Sequence, residues 1–201
     1  MNGRTAVAVV ATTAEVLAHP ELHEGLLAPW ERRRLDRIRL PSRRDDVVAA
    51  RLLVRLCVAR YTGLSPRASA PAQFCAACGR DGHGRPYLPG HPRVGVSLSH
   101  ADGLVAAAAG PGAVGVDVEP AARRPGPLPV LRRMLPETEV REATAQPDPG
   151  AALLRLWVRG EALLKAGRGD GLRLLEWTDR PRAAVVSVAS AAPATTFTAG
   201  P

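Results

Sequence analysis

The chain has 201 residues, 46% of them hydrophobic but only 3% aromatic, and a formal net charge of +8 at pH 7. That length suits one ordinary domain or two small ones with a core of Leu, Val and Ala, and no apolar run reaches the roughly 18 residues of a membrane span. The 27 basic against 19 acidic residues call for an anionic partner, yet the arginines are not interleaved with aromatics and no zinc-finger, RRM or basic-zipper pattern occurs, so nucleic acid is the weaker choice over a phosphate-rich ligand or an acidic protein.

In chain order, the apolar run at 5–11 reads as a buried strand, and a helical region follows. The stretch 29–40 is rich in arginine. Over 42–61, Val47, Val48, Leu52, Leu56 and Ala59 recur at helical spacing, and Gly63 stops that helix. Residues 64–93 hold many prolines and glycines and read as a surface loop with a short strand near Tyr87 and Leu88. A strand is expected at 94–98. The runs 104–109 and 113–118, joined by Gly110-Pro111-Gly112, read as a hairpin. After a Pro/Arg/Gly linker at 121–129 come a short helix near 131–143, a long helix over 151–166 and a strand at 183–189.

This order gives an α+β fold in two halves of similar size, 1–110 and 111–201, each a small, largely antiparallel sheet packed by a helix. The chain start lacks a charged segment followed by an apolar one, and Cys57, Cys75 and Cys78 are an odd set, so a soluble, cytoplasmic protein without a disulfide framework is expected. Cys75-x-x-Cys78 with His83 raises a zinc reading. Three ligands fall one short of a closed structural site, and free cysteines in a loop are the favoured reading.

Asp117 and Glu119 are two apart at the end of a strand and share one face. With Glu161 from the long helix they make an all-oxygen set suited to Mg2+, which in turn implies a phosphate substrate. Lys165, the one lysine of the chain, stands four residues after Glu161 and eight after Trp157 on the same helix face. Apolar neighbours surround that stripe, so partial burial is expected. An arginine-writing sequence that keeps an ammonium here points to a need for a compact point charge. Ser99 and His100 end a strand and suit phosphate binding or acid–base work, Arg85 lies in a Gly/Pro-fixed loop, and Arg43 and Arg44 precede a helix.

Four pieces, GRPYL at 84–88, VSLSHADGLVAAA at 96–108, GVDVE at 115–119 and WVRGEALLKAGRGDGL at 157–172, occur in an order and spacing that resemble the 4'-phosphopantetheinyl transferases of the Sfp type. RRDDVVAARLLVRLCVA at 43–59 agrees more loosely. The resemblance implies a monomer of two α+β halves in pseudo-twofold arrangement, with the site between them. It implies coenzyme A as co-substrate, a serine of an apo acyl or peptidyl carrier protein as acceptor, Mg2+ held by Asp117, Glu119 and Glu161, and 3',5'-ADP as the departing group. Lys165 would contact the phosphates, Ser99 and His100 would bind coenzyme A, Arg85 and Pro86 would lie near the nucleotide, and Arg43 or Arg44 would add a phosphate contact. Glu139 is the candidate base and Glu161 its rival. One position departs from the family pattern: Gly160 stands where a lysine is usual, leaving Arg159 to reach the site or the reaction to run without that cation, and an impaired enzyme is one outcome. The rival readings are a coenzyme A- or nucleotide-binding protein without transferase activity and a basic nucleic-acid-binding module.

Overall fold

The computed structural model describes residues 5–125, 129, 131–132, 135–167 and 169–200. The fold is α+β, with small antiparallel sheets packed against helices, as the element order predicts. The first sheet is built from β1 (Ala6–Thr12), β5 (Val94–Ala101) and β6 (Leu104–Pro111), with α1 (Thr13–Leu17), α2 (Pro29–Leu35) and α3 (Pro41–Thr62) between β1 and β5. The second sheet contains β7 (Val114–Pro120), β8 (Arg173–Asp179) and β9 (Ala184–Ser190), with α4 (Glu137–Thr144) and α5 (Pro149–Ala166) between β7 and β8. In spatial order these are β1-β6-β5 and β7-β9-β8. One connection, strand–helix–strand–strand with the last strand central, is thus used twice.

The two sheets lie face to face, with α3 and α5 on the outer sides. In β6, Val105, Ala107 and Ala109 pack against α3 residues such as Leu52 and Leu53, while Leu104, Ala106 and Ala108 meet Val114, Val116, Val118, Val186 and Val188 of the second sheet. Both faces of β6 are therefore dry. That is why its sequence is a continuous apolar run instead of an alternating one. Most of its side chains are alanine, which thins the layer and lets the sheets approach.

Three glycines permit close approaches between neighbouring elements. A Cβ on Gly110 would stand 2.5 Å from that of Ala6, one on Gly95 would stand 2.0 Å from the Gly112 carbonyl oxygen, and one on Gly115 would stand 2.0 Å from the Ala162 carbonyl oxygen and 2.5 Å from the Ala166 nitrogen. The last of these seats α5 directly on β7.

Two expectations change. The segments around Gly110-Pro111-Gly112 do not form a hairpin: β6 pairs with β1 and β5, and β7 pairs with β9 in the other sheet. Gly112, at φ 69°, passes the chain from one sheet to the next, and the hairpin partner of β6 is β5. That hairpin turns at Asp102-Gly103, where φ is 42° and 85°, the doubly positive pair of a two-residue turn. The loop 64–93 also holds more order than expected, with β2 (Ala72–Cys75) pairing with both β3 (Arg80–Asp81) and β4 (Arg85–Tyr87). Finally, β10 (Ala194–Thr196) returns to lie parallel to β1, Ala6 opposite Ala194. The helix expected near 131–143 is described as α4; positions 133–134, and 126–128 of the linker, lie outside the described residues. Among the described residues no helix is long and apolar enough to cross a membrane.

Gly115→Ala should cost about 1–3 kcal/mol through overpacking and lower Tm by several degrees. Scanning calorimetry checks it. A Tm within one degree of the parent would mean that α5 does not rest on β7 this closely.

Candidate functional site

Two features meet where α3, the β2–β4 loop and the start of α5's last turn converge. The first is a cleft of about 880 Å3 lined by Arg34, Arg37, Arg39, Arg43, Arg51 and Arg85, together with His100 and Lys165. No acidic side chain lines it among the described residues. The second is a buried acid–base cluster at the end of β7.

The positive character of the cleft is built in below its surface. Glu31, on the first turn of α2, accepts from the Ala28 amide at 2.7 Å, and so closes its own helix start. The same carboxylate takes Arg51 at 2.9 Å and Arg55 at 2.5 Å, both one α3 face apart by a single turn. Arg55 is wholly buried and Glu31 nearly so. One anion thus faces two guanidiniums, and the surplus charge is carried by Arg51, the member that lines the cleft. Burial pushes the pKa of Arg51 down against the pull of Glu31. Trp30 backs the guanidinium at 4.8 Å, and Gln73 accepts from it at 3.3 Å.

The loop wall is fastened by backbone acceptors. Arg34 donates to the Gly82 carbonyl at 2.8 Å, Gln73 to the Gly84 carbonyl at 3.0 Å, and Arg85 to the Ala166 carbonyl at 2.7 Å. Arg85 thereby satisfies an orphan carbonyl at the negative end of α5 and links the loop to the second half of the chain. Gly84, at φ 89°, leaves no room for a Cβ, which would fall 2.4 Å from the Phe74 carbonyl oxygen.

At the inner end of the cleft Lys165 donates to Asp117 Oδ1 at 2.6 Å, to Ser99 Oγ at 2.9 Å and to the Val116 carbonyl at 3.1 Å. Ser99 Oγ in turn donates to Asp117 Oδ1 at 2.7 Å, and Ser97 Oγ accepts from the Val116 amide at 3.0 Å, tying β5 to β7. Asp117 Oδ2 is buried and has no hydrogen-bond partner among the described residues. Glu119, also buried, is held by Arg123 at 2.5 Å, and burial pushes its pKa up, with the Asp117 charge adding to the rise and Arg123 opposing it. An orphaned carboxylate oxygen beside a second carboxylate whose ionisation is penalised fits a hard cation such as Mg2+, and the donors are all oxygen.

The structure distributes the expected site residues as follows. It joins Asp117, Lys165 and Ser99 directly, and sets Glu119 on the same strand face. Glu161 is half-buried on α5 one turn before Lys165, and Trp157, one turn earlier again, is half-buried too. His100 lines the cleft with Pro86 and Arg85. The atoms packed around His100 push its pKa below the usual imidazole value; Asp46 pulls it up, while Lys165 and Arg43 push it down. Of the two candidate arginines, Arg43 lines the cleft, whereas Arg44 turns to Glu24 in a bidentate pair at 3.0 and 2.8 Å. Glu139 lies on α4 in an ion pair with Arg159. Arg159 is thus engaged with α4 in this structure. Gly160 has a packing reason of its own: a Cβ there would stand 2.6 Å from Leu135 Cδ2.

Sequence reasoning assigned no role to Arg34, Arg37, Arg39, Arg51 or Glu31. A signal was present. Arg51 and Arg55 interrupt the apolar run of α3 four residues apart, and two arginines on a buried helix face need an acid partner.

Residues 113–200 match the model of the 4'-phosphopantetheinyl transferase superfamily. The matched segment contains Asp117, Glu119, Glu161 and Lys165. A Bacillus subtilis protein named 4'-phosphopantetheinyl transferase is 29% identical over 126 residues, 61% of this chain and 52% of the relative. The chain therefore spans about half the length of the curated relative it matches.

The cleft should bind small polyanions. Saturating inorganic triphosphate should raise Tm by about 5–10 °C at low ionic strength, and the rise should shrink in high salt. Arg51→Gln should reduce the shift. An equal shift in parent and variant, or one insensitive to salt, would show that the ligand binds elsewhere.

Proposed function

We propose that this protein is a 4'-phosphopantetheinyl transferase of the Sfp type, moving the phosphopantetheine arm of coenzyme A onto a serine of an acyl or peptidyl carrier protein and releasing 3',5'-ADP. The observation that carries the reading is the contact of an arginine cleft, lined by no acidic side chain among the described residues, with the Lys165–Ser99–Asp117 cluster, of which Asp117 and Lys165 lie inside the segment that matches the superfamily. A ligand with a phosphorylated nucleoside at one end and a diphosphate at the other suits a cleft with cations along its wall and an ammonium at its inner end.

In this reading the halves 1–110 and 111–201 flank the ligand. Arg43, Arg51 and Arg85 hold phosphate oxygens, His100 donates to the 3'-phosphate, and Pro86 packs near the nucleotide. Arg44, committed to Glu24, takes no part. Asp117 Oδ2, Glu119 and Glu161 are the residues that would hold Mg2+, which when bound neutralises charge at the diphosphate. Lys165, steered by Ser99 and the Val116 carbonyl, turns its ammonium toward the leaving phosphate and offsets the charge that grows there. The serine hydroxyl gives up its proton to a carboxylate, Glu139 or its rival Glu161. Such a transfer is mostly positioning and electrostatics. The positive surface also suits an acidic carrier protein.

Incubation with coenzyme A, Mg2+ and an apo carrier should add the mass of one phosphopantetheine arm to the carrier. Asp117→Ala should lower the rate at least about 100-fold with the fold retained, as loss of a charge-organising group does. Lys165→Arg should lower it about tenfold, since a planar fork does not reproduce a point charge. No mass gain across several apo carriers would refute the reading, and coenzyme A binding without transfer would leave a binding protein in its place. His100→Ala should weaken coenzyme A more than 3'-dephospho-coenzyme A in a calorimetric titration; equal losses would remove His100 from the 3'-phosphate.

A further inference from the structure

Outside the cleft, the β2–β4 sheet gathers the three soft donors of its loop. Cys75 ends β2, Cys78 lies in the turn into β3, and His83 lies in the turn into β4. The Gly79 amide donates to the Cys75 carbonyl at 2.8 Å, and Gly79 and Gly82 take φ of 67° and 86°, so both turns fold tightly back on β2. The two sulfurs and an imidazole nitrogen all lie within 4.8 Å of one another, and Cys78 Sγ is 3.1 Å from His83 Nε2. Ligand atoms around a tetrahedral zinc at about 2.3 Å for sulfur and 2.0 Å for nitrogen are separated by about 3.3–3.8 Å, so small side-chain adjustments suffice.

We propose that Cys75, Cys78 and His83 form a zinc site, with two thiolates and the His83 Nε2 lone pair on the ion and the fourth position open to solvent. Sulfur and imidazole donors select zinc over magnesium, which separates this site from the oxygen-only acids of β7. On binding, each thiol releases its proton to solvent, His83 keeps its proton on Nδ1, and two thiolates balance the divalent charge. The Cys78 thiol also receives hydrogen bonds from Arg80, which favour its thiolate form. Cys57, by contrast, is buried with its thiol pushed up, and takes no part.

The site has a mechanical role. The carbonyls of Gly82 and Gly84, which receive Arg34 and Gln73, and Arg85 itself all follow Cys78 within seven residues. An ion joining the start of β2–β3 to His83 staples the segment that forms this wall of the cleft. The inference rests on donor geometry alone and stands whether or not the protein transfers phosphopantetheine.

Metal analysis of the full, untagged chain grown with zinc and desalted should give about one zinc per chain, falling to about a tenth or less in Cys78→Ser and in His83→Ala. Circular dichroism would show that these variants fold. As a second readout on the unsubstituted chain, cobalt exchange should give the intense visible bands of a tetrahedral thiolate site, and Cys75 and Cys78 should resist alkylation until a chelator is added. Zinc content below about a tenth of an equivalent, or zinc retained when all three residues are replaced, would overturn the proposal. So would a mass two daltons low, marking a Cys75–Cys78 disulfide in the protein as purified.

Discussion

The seating of α5 on β7 at Gly115 is the constraint from which the site follows. No side chain separates the glycine from the Ala162 carbonyl, so the helix axis comes closer to the strand than ordinary packing allows. Ala162 and Ala166 continue the same face against Ala189 of β9. With the helix held this near, a lysine at its last turn reaches past the strand edge to Asp117, Ser99 and the Val116 carbonyl. Had the separation been set by larger side chains, Lys165 would end in the cleft as a free cation, and Asp117 would be a buried anion held by the Ser99 hydroxyl without a countercharge. A backbone contact thus decides an electrostatic arrangement.

The charge of the cleft is likewise produced by burial instead of by surface density. A chain at +8 has many arginines in water, where each is screened and contributes little. Arg51 differs because Arg55 shares its only carboxylate and because Trp30 and Gln73 fix its direction. A guanidinium that is partly desolvated, oriented and incompletely neutralised keeps its field for whatever anion enters. Arg85 acts differently: it joins the first half of the chain to the C-terminal end of α5 and so couples the cleft wall to the acid cluster.

Local patterns were legible where one element answers to one period or one stop signal. α3 with its Gly63 cap, α5, β1 and β9 all emerge from apolar spacing, and the pairing of Asp117 with Glu119 on one strand face needs only the period of two. What failed was partnership between elements. Gly110-Pro111-Gly112 looks like a hairpin turn, but both faces of β6 must be covered, and a neighbouring β7 in the same sheet would leave one face bare. The true turn, Asp102-Gly103, was present as an Asp-Gly pair inside a motif read for its chemistry. β8 was missed because its side chains are mostly exposed or half-buried and carry no apolar period strong enough to mark it. The choice of Arg43 over Arg44 depended on Glu24, some twenty positions away, which no spacing rule reaches.

The lone lysine illustrates how a residue type can be read further than a motif. An ammonium carries three donors that rotate together about a single bond, and here three acceptors from three different sources surround it: a carboxylate, a hydroxyl and a main-chain carbonyl. A guanidinium holds its donors in one plane, on a fixed fork. Arginine serves where this chain directs positive charge toward solvent or toward carboxylates, as at Glu24 or at Glu15 with Asp179. It is replaced at the one position where charge must sit at a point between two sheets and a helix. The composition therefore records the chemistry of the cluster: one ammonium shared among a carboxylate, a hydroxyl and a main-chain carbonyl.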